Sequence, residues 1–292
     1  MSALLIGVAI VLIGALVWYL FIATEGVYLG KRVVIALYDL YAKRYDYIKG
    51  FDEEWELQTL AAPLAKALGD VPQPLILDVA TGTGRLPHLL RRVPNFKGKI
   101  IGLDASWQML RVAAAKLGKT QRIVLLHQDA TQLPFADETF DAVTCLEALE
   151  FLPDQAAALA EIVRVARVGA PILLTNRRGM YAWLMRGKVQ PSEAFAESLY
   201  AYGLDQVEVE TWQVEYDLVW AIKGGTAAKS ARPQTWQAAL RCPYCNCTGF
   251  QAAREQTLRC SHCEKALSFT AEGILPYAAA LKQHEGALRT FD

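Results

Sequence analysis

The chain has 292 residues and carries 30 Lys and Arg against 30 Asp and Glu, so its formal net charge is zero. This length suits one α/β core with a small module at each end, and the balanced charge argues against a large basic surface for nucleic acid. Five of the six cysteines lie between residues 242 and 263, while Cys145 stands alone in an apolar segment. This distribution argues against a disulfide-stabilised secreted domain and favours a metal site in a reducing compartment.

The first predicted element is an apolar helix over residues 3–23, which contain no charged side chain. At about 1.5 Å per residue, such a helix spans a hydrocarbon core of about 30 Å. The basic residues that follow it are Lys31, Arg32, Lys43 and Arg44, and none precedes it. The positive-inside rule therefore predicts a single-pass anchor in the cell membrane, with the rest of the chain facing the cytoplasm. A cleaved signal peptide is the alternative, which the missing basic n-region disfavours.

Short apolar segments of strand length alternate with helical periodicity across the middle of the chain. The predicted strands cover 75–80, 99–104, 123–127, 141–146 and 171–176, and the predicted helices between them cover 85–93, 106–117 and 154–166. This alternation predicts an α/β fold with a doubly wound, mostly parallel sheet and helices on both faces. Two further strands at 206–214 and 216–223 predict an antiparallel edge pair, which makes a seven-stranded sheet.

A Gly-rich turn follows the first strand in LILDVATGTGR. Gly82 and Gly84 let the backbone approach a ligand closely, and amides at the start of the next helix can bind a carboxylate or phosphate. A dinucleotide fingerprint requires a third Gly three residues after Gly84, where this chain has Pro87. A pyrophosphate site is therefore disfavoured.

Acidic residues end three adjacent predicted strands near this turn, namely Asp78, Asp104 and Asp129. The Asp104 carboxylate can accept both hydroxyls of a ribose, and Asp129 is placed for the exocyclic amine of a base. Open α/β sheets bind ligands at the C-terminal ends of their strands. The three acids around one Gly-rich turn therefore predict a ligand site at that edge.

Four segments within residues 35–225 resemble, in order and spacing, the motifs of class I S-adenosylmethionine-dependent methyltransferases. They are LILDVATGTGR, IIGLDASWQML, QDATQLPFADETFDAVTCLEALEFLPD and EIVRVARVGAPILLTNRRG. The resemblance implies a Rossmann-like fold and S-adenosyl-L-methionine as the cofactor. It implies contacts from the methionine part to Asp78, Ala80, Gly82 and Gly84, from the ribose to Asp104, and from the adenine to Met109, Asp129 and Ala130, with Leu146 and Glu147 closing the site.

Upstream, YDLYAKRYDYI over residues 38–48 resembles the segment YDxxAxxYD of the ubiquinone and menaquinone C-methyltransferases. This resemblance implies a lid helix from which Tyr45 reaches the cofactor. One departure from the family pattern concerns the acceptor. Phe151 stands where relatives often have His, which removes a polar group from the acceptor side.

Methyl transfer from a sulfonium requires in-line positioning more than acid or base groups, because the leaving group is neutral. A base is needed only if the acceptor must lose a proton. The candidates for a catalytic base are Glu147, Glu150 and His88. Each has another interpretation: Glu147 can simply hold the cofactor, Glu150 can be a solvated helix residue, and His88 can lie on a helix face.

The clustered cysteines form two CxxC pairs, Cys242 with Cys245 and Cys260 with Cys263. This is the spacing of two knuckles around one tetrahedral zinc ion. Four thiolates leave no ligand position open, so the pattern predicts a structural Zn2+ rather than a catalytic one.

Cys247 and His262 are left outside this set, because one intervening residue in CNC fits a knuckle poorly. The segments LRCPYC and LRCSHC, with Gly-Ile-Leu at 273–275, resemble a zinc-ribbon module known as an activator and partner of methyltransferases. The predicted organisation is a transmembrane anchor (1–24), juxtamembrane and lid helices (25–72), a methyltransferase core (73–224), a linker (225–237) and a zinc-ribbon module (238–292).

Together these features predict a membrane-anchored methyltransferase that binds the lipid bilayer through residues 3–23. The expected acceptor is a lipid-phase or amphiphilic small molecule, such as a quinone precursor or lipid head group, because tethering raises its local concentration. Two alternatives stay open: a methyltransferase of RNA or protein that uses the ribbon for recognition, and a non-catalytic scaffold that binds S-adenosylmethionine. The ribbon leaves room for a protein partner, whereas its modest basic excess does not indicate nucleic acid.

Overall fold

The computed structural model describes residues 2–69, 71–226, 233, 235–254 and 256–282. Its α-helices are α1 (Ser2–Trp18), α2 (Lys31–Tyr41), α3 (Tyr45–Lys49), α4 (Glu53–Glu56), α5 (Ala62–Ala67), α6 (Arg85–Leu90), α7 (Trp107–Leu117), α8 (Gln155–Val165), α9 (Gly179–Leu184), α10 (Ser192–Tyr200) and α11 (Trp236–Ala239). Its strands are β1 (Leu75–Val79), β2 (Lys99–Asp104), β3 (Ile123–His127), β4 (Ala142–Cys145), β5 (Pro171–Arg177), β6 (Leu204–Thr211), β7 (Tyr216–Lys223), β8 (Phe250–Arg254), β9 (Thr257–Cys260), β10 (Ala266–Ser268) and β11 (Ile274–Leu275).

Eight strands form one sheet in the order β11-β3-β2-β1-β4-β5-β7-β6. The β5–β7 and β6–β7 pairs are antiparallel, and the other neighbours are parallel. Alternate side chains of β1 enter two different cores: Leu75 and Leu77 pack with α8 and α10, whereas Ile76 packs with α5, α6 and α7. The predicted doubly wound sheet and its antiparallel edge pair are therefore confirmed.

The sheet has eight strands where the sequence predicts seven. The additional strand is β11, which comes from the C-terminal module and pairs parallel with β3, Ile274 beside Leu125 and Leu275 beside Leu126. Both residues of β11 are fully buried. A strand of two residues is too short for periodicity to reveal it.

The cysteine-bearing module packs directly on the core. Strands β8, β9 and β10 form a separate antiparallel sheet. Buried side chains of the module join the same hydrophobic cluster as the main sheet, among them Leu240, Phe250, Leu258 and Leu267. Backbone hydrogen bonds of 2.9 Å run from Ala136 N–H to the Ala239 carbonyl and from Arg241 N–H to the Pro134 carbonyl. Most of the linker predicted at 225–237 lies outside the described residues, as do residues 283–292, and the domain bounds stay predictions.

The apolar N-terminal helix α1 is exposed along its length, whereas the π-helical turn Tyr19–Ala23 that continues it is partly covered and Ala23 is buried. The most apolar 18-residue stretch of Ala3–Ala23 has a mean hydropathy of 2.7 and contains no buried residue; within the described ranges this is the one helix long and apolar enough to cross a membrane. The chain then reverses at Gly26, whose φ is 77°. This left-handed φ favours glycine, and a Cβ there would also lie 2.9 Å from Leu37 Cδ1. The following helix α2 contacts α7 at the C-terminal edge of the sheet.

Candidate active site

A cavity opens at the C-terminal edge of the sheet, beneath α2 and α3. We call residues 31–49, which contain these two helices, the lid. Predicted cofactor residues that line the cavity are Tyr45, Ala80, Gly82, Asp104, Met109, Asp129, Ala130, Leu146 and Glu147. Asp78 lines a smaller adjoining cavity beside the Gly-rich turn, and Gly84 lines neither. The fold thus gathers most of the predicted set around one space, while their contacts with a cofactor stay predictions.

The Gly-rich turn after β1 contains left-handed residues, and the side chain of Asp78 at its start is hydrogen-bonded on both oxygens. Asp78 accepts hydrogen bonds from the hydroxyls of Thr81 (2.5 Å) and Thr144 (2.7 Å), and burial raises the pKa of Asp78 to about 6. The φ angles of Ala80 and Gly82 are 55° and 56°. For Ala this region costs on the order of 1 kcal/mol, so the turn is strained beside the cavity.

Gly84 allows α7 to pack closely against the start of α6, where a side chain would not fit. It is the N-cap of α6 with a φ of 75°. A Cβ at Gly84 would lie 2.8 Å from Leu117 Cδ1 and 3.2 Å from Ala113 Cβ, both on α7. Its predicted contact with the methionine part of the cofactor stays a prediction.

Asp104 at the end of β2 is held by two backbone amides. Its Oδ2 accepts the Gly82 N–H (2.8 Å) and its Oδ1 accepts the Ser106 N–H (2.7 Å). Burial raises the pKa of Asp104 to about 6, although these hydrogen bonds oppose the rise. Each carboxylate oxygen can accept a further hydrogen bond. The ionised group therefore has the fixed orientation and the free acceptor capacity needed for two ribose hydroxyls.

Asp129 follows β3, and the lid contacts it. Its Oδ1 accepts both the N–H (2.8 Å) and the hydroxyl (2.9 Å) of Thr131, and its Oδ2 forms an ion pair with Lys31 at the start of α2. The oxygen available to an adenine amine is thus shared with a lid ammonium. The sequence prediction used Lys31 only as a flanking charge for membrane orientation.

The first acid of the YDxxAxxYD segment fixes α2 to the core. Asp39 Oδ1 accepts the Ser106 hydroxyl (2.6 Å) and the Gln108 N–H (3.0 Å). These donors lie at the N-terminus of α7, where the helix dipole favours a negative charge. The adjacent Tyr38 lines the cavity.

The second acid of the segment lies seven residues later, on α3, and also fixes the lid to the core. Asp46 accepts the Thr83 hydroxyl (2.5 Å) and pairs with Lys116 on α7 (2.5 Å). The adjacent Tyr45 lines the cavity. In each half of the motif, therefore, the acid fastens the lid and the preceding Tyr lines the cavity. The sequence prediction gave such a role to Tyr45 alone, although the repeated Tyr-Asp spacing also indicates Tyr38.

Glu147 lies in a buried network of charges at the floor of the cavity. It accepts hydrogen bonds from Arg85 (2.9 Å) and Lys49 (3.2 Å). Burial alone raises the pKa of Glu147, but Arg85 and Lys49 outweigh burial and hold the pKa below its usual value. Because a carboxylate stabilised by two cations accepts a proton poorly, this geometry favours Glu147 as a positioning group rather than a base.

The other two base candidates are not among the described residues that line the cavity. Glu150 is 3% exposed, accepts the Tyr216 hydroxyl (2.7 Å) and lies 3.7 Å from Arg177 Nη1. His88 Nε2 lies 3.6 Å from Glu53 Oε2 on α4. Glu150 thus belongs to a buried structural network, contrary to the solvated alternative, and His88 is half-buried on α6.

The remaining wall of the cavity is apolar. Val34 on α2 and Phe151 after β4 line it, and both pack with Val27 and Met185 in a small buried cluster. Val27 precedes the lid, and Met185 follows α9. The sequence prediction missed this wall, although the amphipathic pattern of α2 is a signal that could have found it.

Four thiols converge in the C-terminal module. The Sγ atoms of Cys242 and Cys263 are 3.6 Å apart, those of Cys245 and Cys260 are 3.7 Å apart, and all four lie within 4.8 Å of one another. A tetrahedral site with Zn–S bonds of about 2.3 Å has S–S edges of about 3.8 Å. The four side chains therefore fit one tetrahedral metal ion.

A family model described as a methyltransferase domain matches residues 77–174. A demethylmenaquinone methyltransferase of Thermobifida fusca is 38% identical over 151 residues, covering 49% of this chain and 60% of the relative. A 2-phytyl-1,4-naphtoquinone methyltransferase of Synechococcus elongatus is 32% identical over 166 residues, covering 54% of this chain and 69% of the relative. The chain belongs to the class I S-adenosylmethionine-dependent methyltransferases.

The alignments cover only part of this chain and only part of each relative. The chain spans 60% and 49% of the first two curated relatives. Among solved structures, the [4+2]-cyclase SpnF has a TM-score of 0.55 at 19% identity, covering 66% of this chain and 97% of that one. A chain from a complex of the Haloferax volcanii Trm112 methyltransferase activator with a methyltransferase has a TM-score of 0.51 at 20% identity, covering 64% and 98%. These structures establish the fold alone.

Proposed function

We propose that this chain is a membrane-anchored methyltransferase that acts on a lipid-phase quinone precursor at the cytoplasmic face. The observation that carries the proposal is the position of the lid. Only residues 24–30 separate the apolar helix from α2, which closes over the cavity. The cavity therefore lies close to the point where the chain would leave the bilayer.

Two further observations support this acceptor. The apolar wall built by Val27, Val34, Phe151 and Met185 connects the cavity with the segment that follows the anchor. The similar proteins from Thermobifida fusca and Synechococcus elongatus are named for methylating quinones. An acceptor with an apolar ring and tail matches both.

S-adenosyl-L-methionine, when bound, supplies an electrophilic methyl group on a sulfonium. In the proposed site, Asp104 holds the ribose, Met109 and Asp129 hold the adenine, and Tyr45 with Glu147 bounds the methyl side. The lid excludes water and orients the acceptor. A cavity whose Glu147 is already paired with two cations suits an acceptor that is itself nucleophilic, such as the ring of a reduced quinone.

The test uses the full chain in lipid nanodiscs with methyl-labelled S-adenosylmethionine. Three acceptors are compared: a reduced, demethylated quinone with a long isoprenoid tail, total RNA and a protein extract. We expect label in the lipid extract for the wild type and none for Asp104→Ala. Label found only in RNA or protein would reject the quinone acceptor, and cofactor binding without any transfer would favour a non-catalytic scaffold.

We further propose that the four thiols bind one structural Zn2+. Cys247 contributes to this site through its backbone, because its carbonyl accepts the Cys242 N–H (2.8 Å). His262 likewise contributes its backbone, donating N–H to Cys260 Sγ (3.5 Å). We expect Cys247→Ser to retain one zinc per chain by elemental analysis and Cys260→Ser to lose it. Zinc lost from Cys247→Ser would make Cys247 a ligand.

The Lys31–Asp129 ion pair competes with the proposed adenine contact. Replacing Lys31 with Ala frees the Asp129 carboxylate and removes a positive charge near a cationic cofactor, so we expect the Kd for S-adenosylmethionine to fall. For a partly exposed pair worth about 1 kcal/mol the change is roughly fivefold. Calorimetry on the full chain measures it, with Arg32→Ala as the control. Weaker binding in Lys31→Ala would mean that Lys31 supports the cofactor.

A further inference from the structure

The end of the apolar N-terminal helix is hydrogen-bonded to α9, far along the chain. The Tyr19 hydroxyl donates to the Leu184 carbonyl (3.0 Å), and the Tyr28 hydroxyl donates to the Arg186 carbonyl (2.8 Å). The two tyrosine rings stack with centroids 6.0 Å apart. Carbonyls at the end of a helix have no partner within the helix, so these hydroxyls fix α9 against the anchor.

This contact sets the depth of α9 relative to a bilayer. Tyr19 lies about one helical turn inside the end of Ala3–Ala23, beside Trp18, at the level where interfacial aromatic residues lie. Because Leu184 contacts Tyr19, the end of α9 must lie at that same level whenever the apolar helix spans the membrane.

The face of α9 that surrounds this contact is apolar and open. Met180 and Trp183, three residues apart on one face, are 69% and 64% exposed. Val214, in the turn between β6 and β7, is 91% exposed. The Arg178 N–H donates to the Glu215 carbonyl (2.7 Å), which places this turn beside α9. Three large exposed apolar side chains therefore lie on α9, which contacts the end of the anchor, and on the turn beside its N-terminus.

Basic residues border this surface. The Arg186 guanidinium lies 5.6 Å from the centroid of the Trp183 ring, and Lys188 follows two residues later. Neither has an ion pair with an acid within the described ranges. An apolar face with unpaired cations at its border matches a bilayer that contains anionic head groups.

We infer that Met180, Trp183 and Val214 form a second membrane-contacting surface, which inserts into the interface of an anionic bilayer beside the anchor. The inference rests on the proposed membrane anchoring. With two contacts the catalytic body cannot rotate freely about residues 24–30. The side of the cavity lined by Phe151, which packs with Met185 at the end of α9, then lies toward the bilayer, and a lipid-phase acceptor enters from that side.

The test measures Trp183 fluorescence in the full chain, reconstituted in phosphatidylcholine and phosphatidylglycerol nanodiscs with or without brominated acyl chains. The Trp183 signal is the difference between wild type and Trp183→Phe. We expect bromine to remove most of it. Trp236, which is 3% exposed in the C-terminal module, is the control and should keep its signal. A Trp183 signal unchanged by bromine would overturn the inference.

An activity measurement gives a second, independent result. We expect the double variant Met180→Glu, Trp183→Glu to lose most methylation of a long-tailed quinone in nanodiscs, with an unchanged Kd for S-adenosylmethionine. Tyr200→Glu, an exposed aromatic at the end of α10 that precedes the start of β6, whereas Val214 follows the end of β6, should match the wild type. Undiminished methylation would contradict the inference. If the wild type methylates no quinone, the proposed function fails, while bromine quenching still decides the surface.

Discussion

Replacing Asp104 with Ala is expected to weaken S-adenosylmethionine binding by at least about 100-fold, because two hydrogen bonds to a charged carboxylate contribute about 1.5 kcal/mol or more each. Asp104 is the acid whose two oxygens are both oriented by backbone amides, from Gly82 and Ser106. Its removal therefore eliminates the proposed ribose contact and the positional restraint on the turn. Calorimetry on the full chain measures the affinity, and circular dichroism checks that the fold is retained.

The control for this variant is Glu210→Ala, which removes an exposed carboxylate from the edge strand β6. Its affinity should equal that of the wild type. Wild-type binding should also weaken as the pH falls through about 6, since burial raises the pKa of Asp104 to about 6 and a protonated carboxyl loses an acceptor. Asp104→Asn should bind weakly without that pH dependence; any that remains belongs to other buried acids near the site, such as Asp78 and Glu56, whose pKa values burial raises to about 6 and about 7. Unchanged affinity in Asp104→Ala would mean that the ribose motif is misassigned.

The core of the site is predictable because its determinants are local. Asp78, Asp104 and Asp129 each follow a short apolar strand, and parallel strands bring their C-terminal ends to one edge. Order along the chain therefore fixes their proximity in space. The pairing of the four cysteines is legible for the same reason, since a CxxC turn positions two thiols by itself.

The lid contacts are not predictable in this way. Lys31 and Asp129 are 98 residues apart, and their contact depends on how α2 lies across the sheet. The roles of Asp39 and Asp46 depend on the tertiary packing that brings them to the Ser106 hydroxyl and to Lys116 on α7. Hydrophobic periodicity does not specify such tertiary contacts. The motif therefore identified the segment but not the role of each residue in it.

The position of the C-terminal module shows the same limit at the level of the fold. Sequence spacing indicates a module that a metal stabilises, and it does not indicate which surface the module covers. The structure adds β11 to the main sheet, with Ile274 in the core on one face and Leu275 in the core on the other. The module therefore supplies an edge strand of the main sheet. By pairing with Leu125 and Leu126, β11 blocks the pairing of β3 with another chain at these residues.

Replacing Ile274 with Asp is expected to destabilise the catalytic core and the module together. An unpaired carboxylate at this fully buried position costs about 3–5 kcal/mol, which lowers the Tm by roughly 10 °C for a chain of this size. Thermal unfolding of the full chain in detergent should give one transition at the lower temperature.

The matched control is Ser268→Asp on β10, where the same charge is exposed to solvent and should leave the Tm unchanged. Addition of S-adenosylmethionine separates two accounts of the module. If it is part of the catalytic fold, the cofactor should raise the Tm of the whole transition in the wild type, and its affinity should fall in Ile274→Asp because β3 leads directly to Asp129. If the module folds independently, Ile274→Asp should lose only a small separate transition and bind the cofactor as tightly as the wild type. That second outcome would reduce β11 to a docking contact, so this one substitution decides whether the C-terminal module supports the candidate active site.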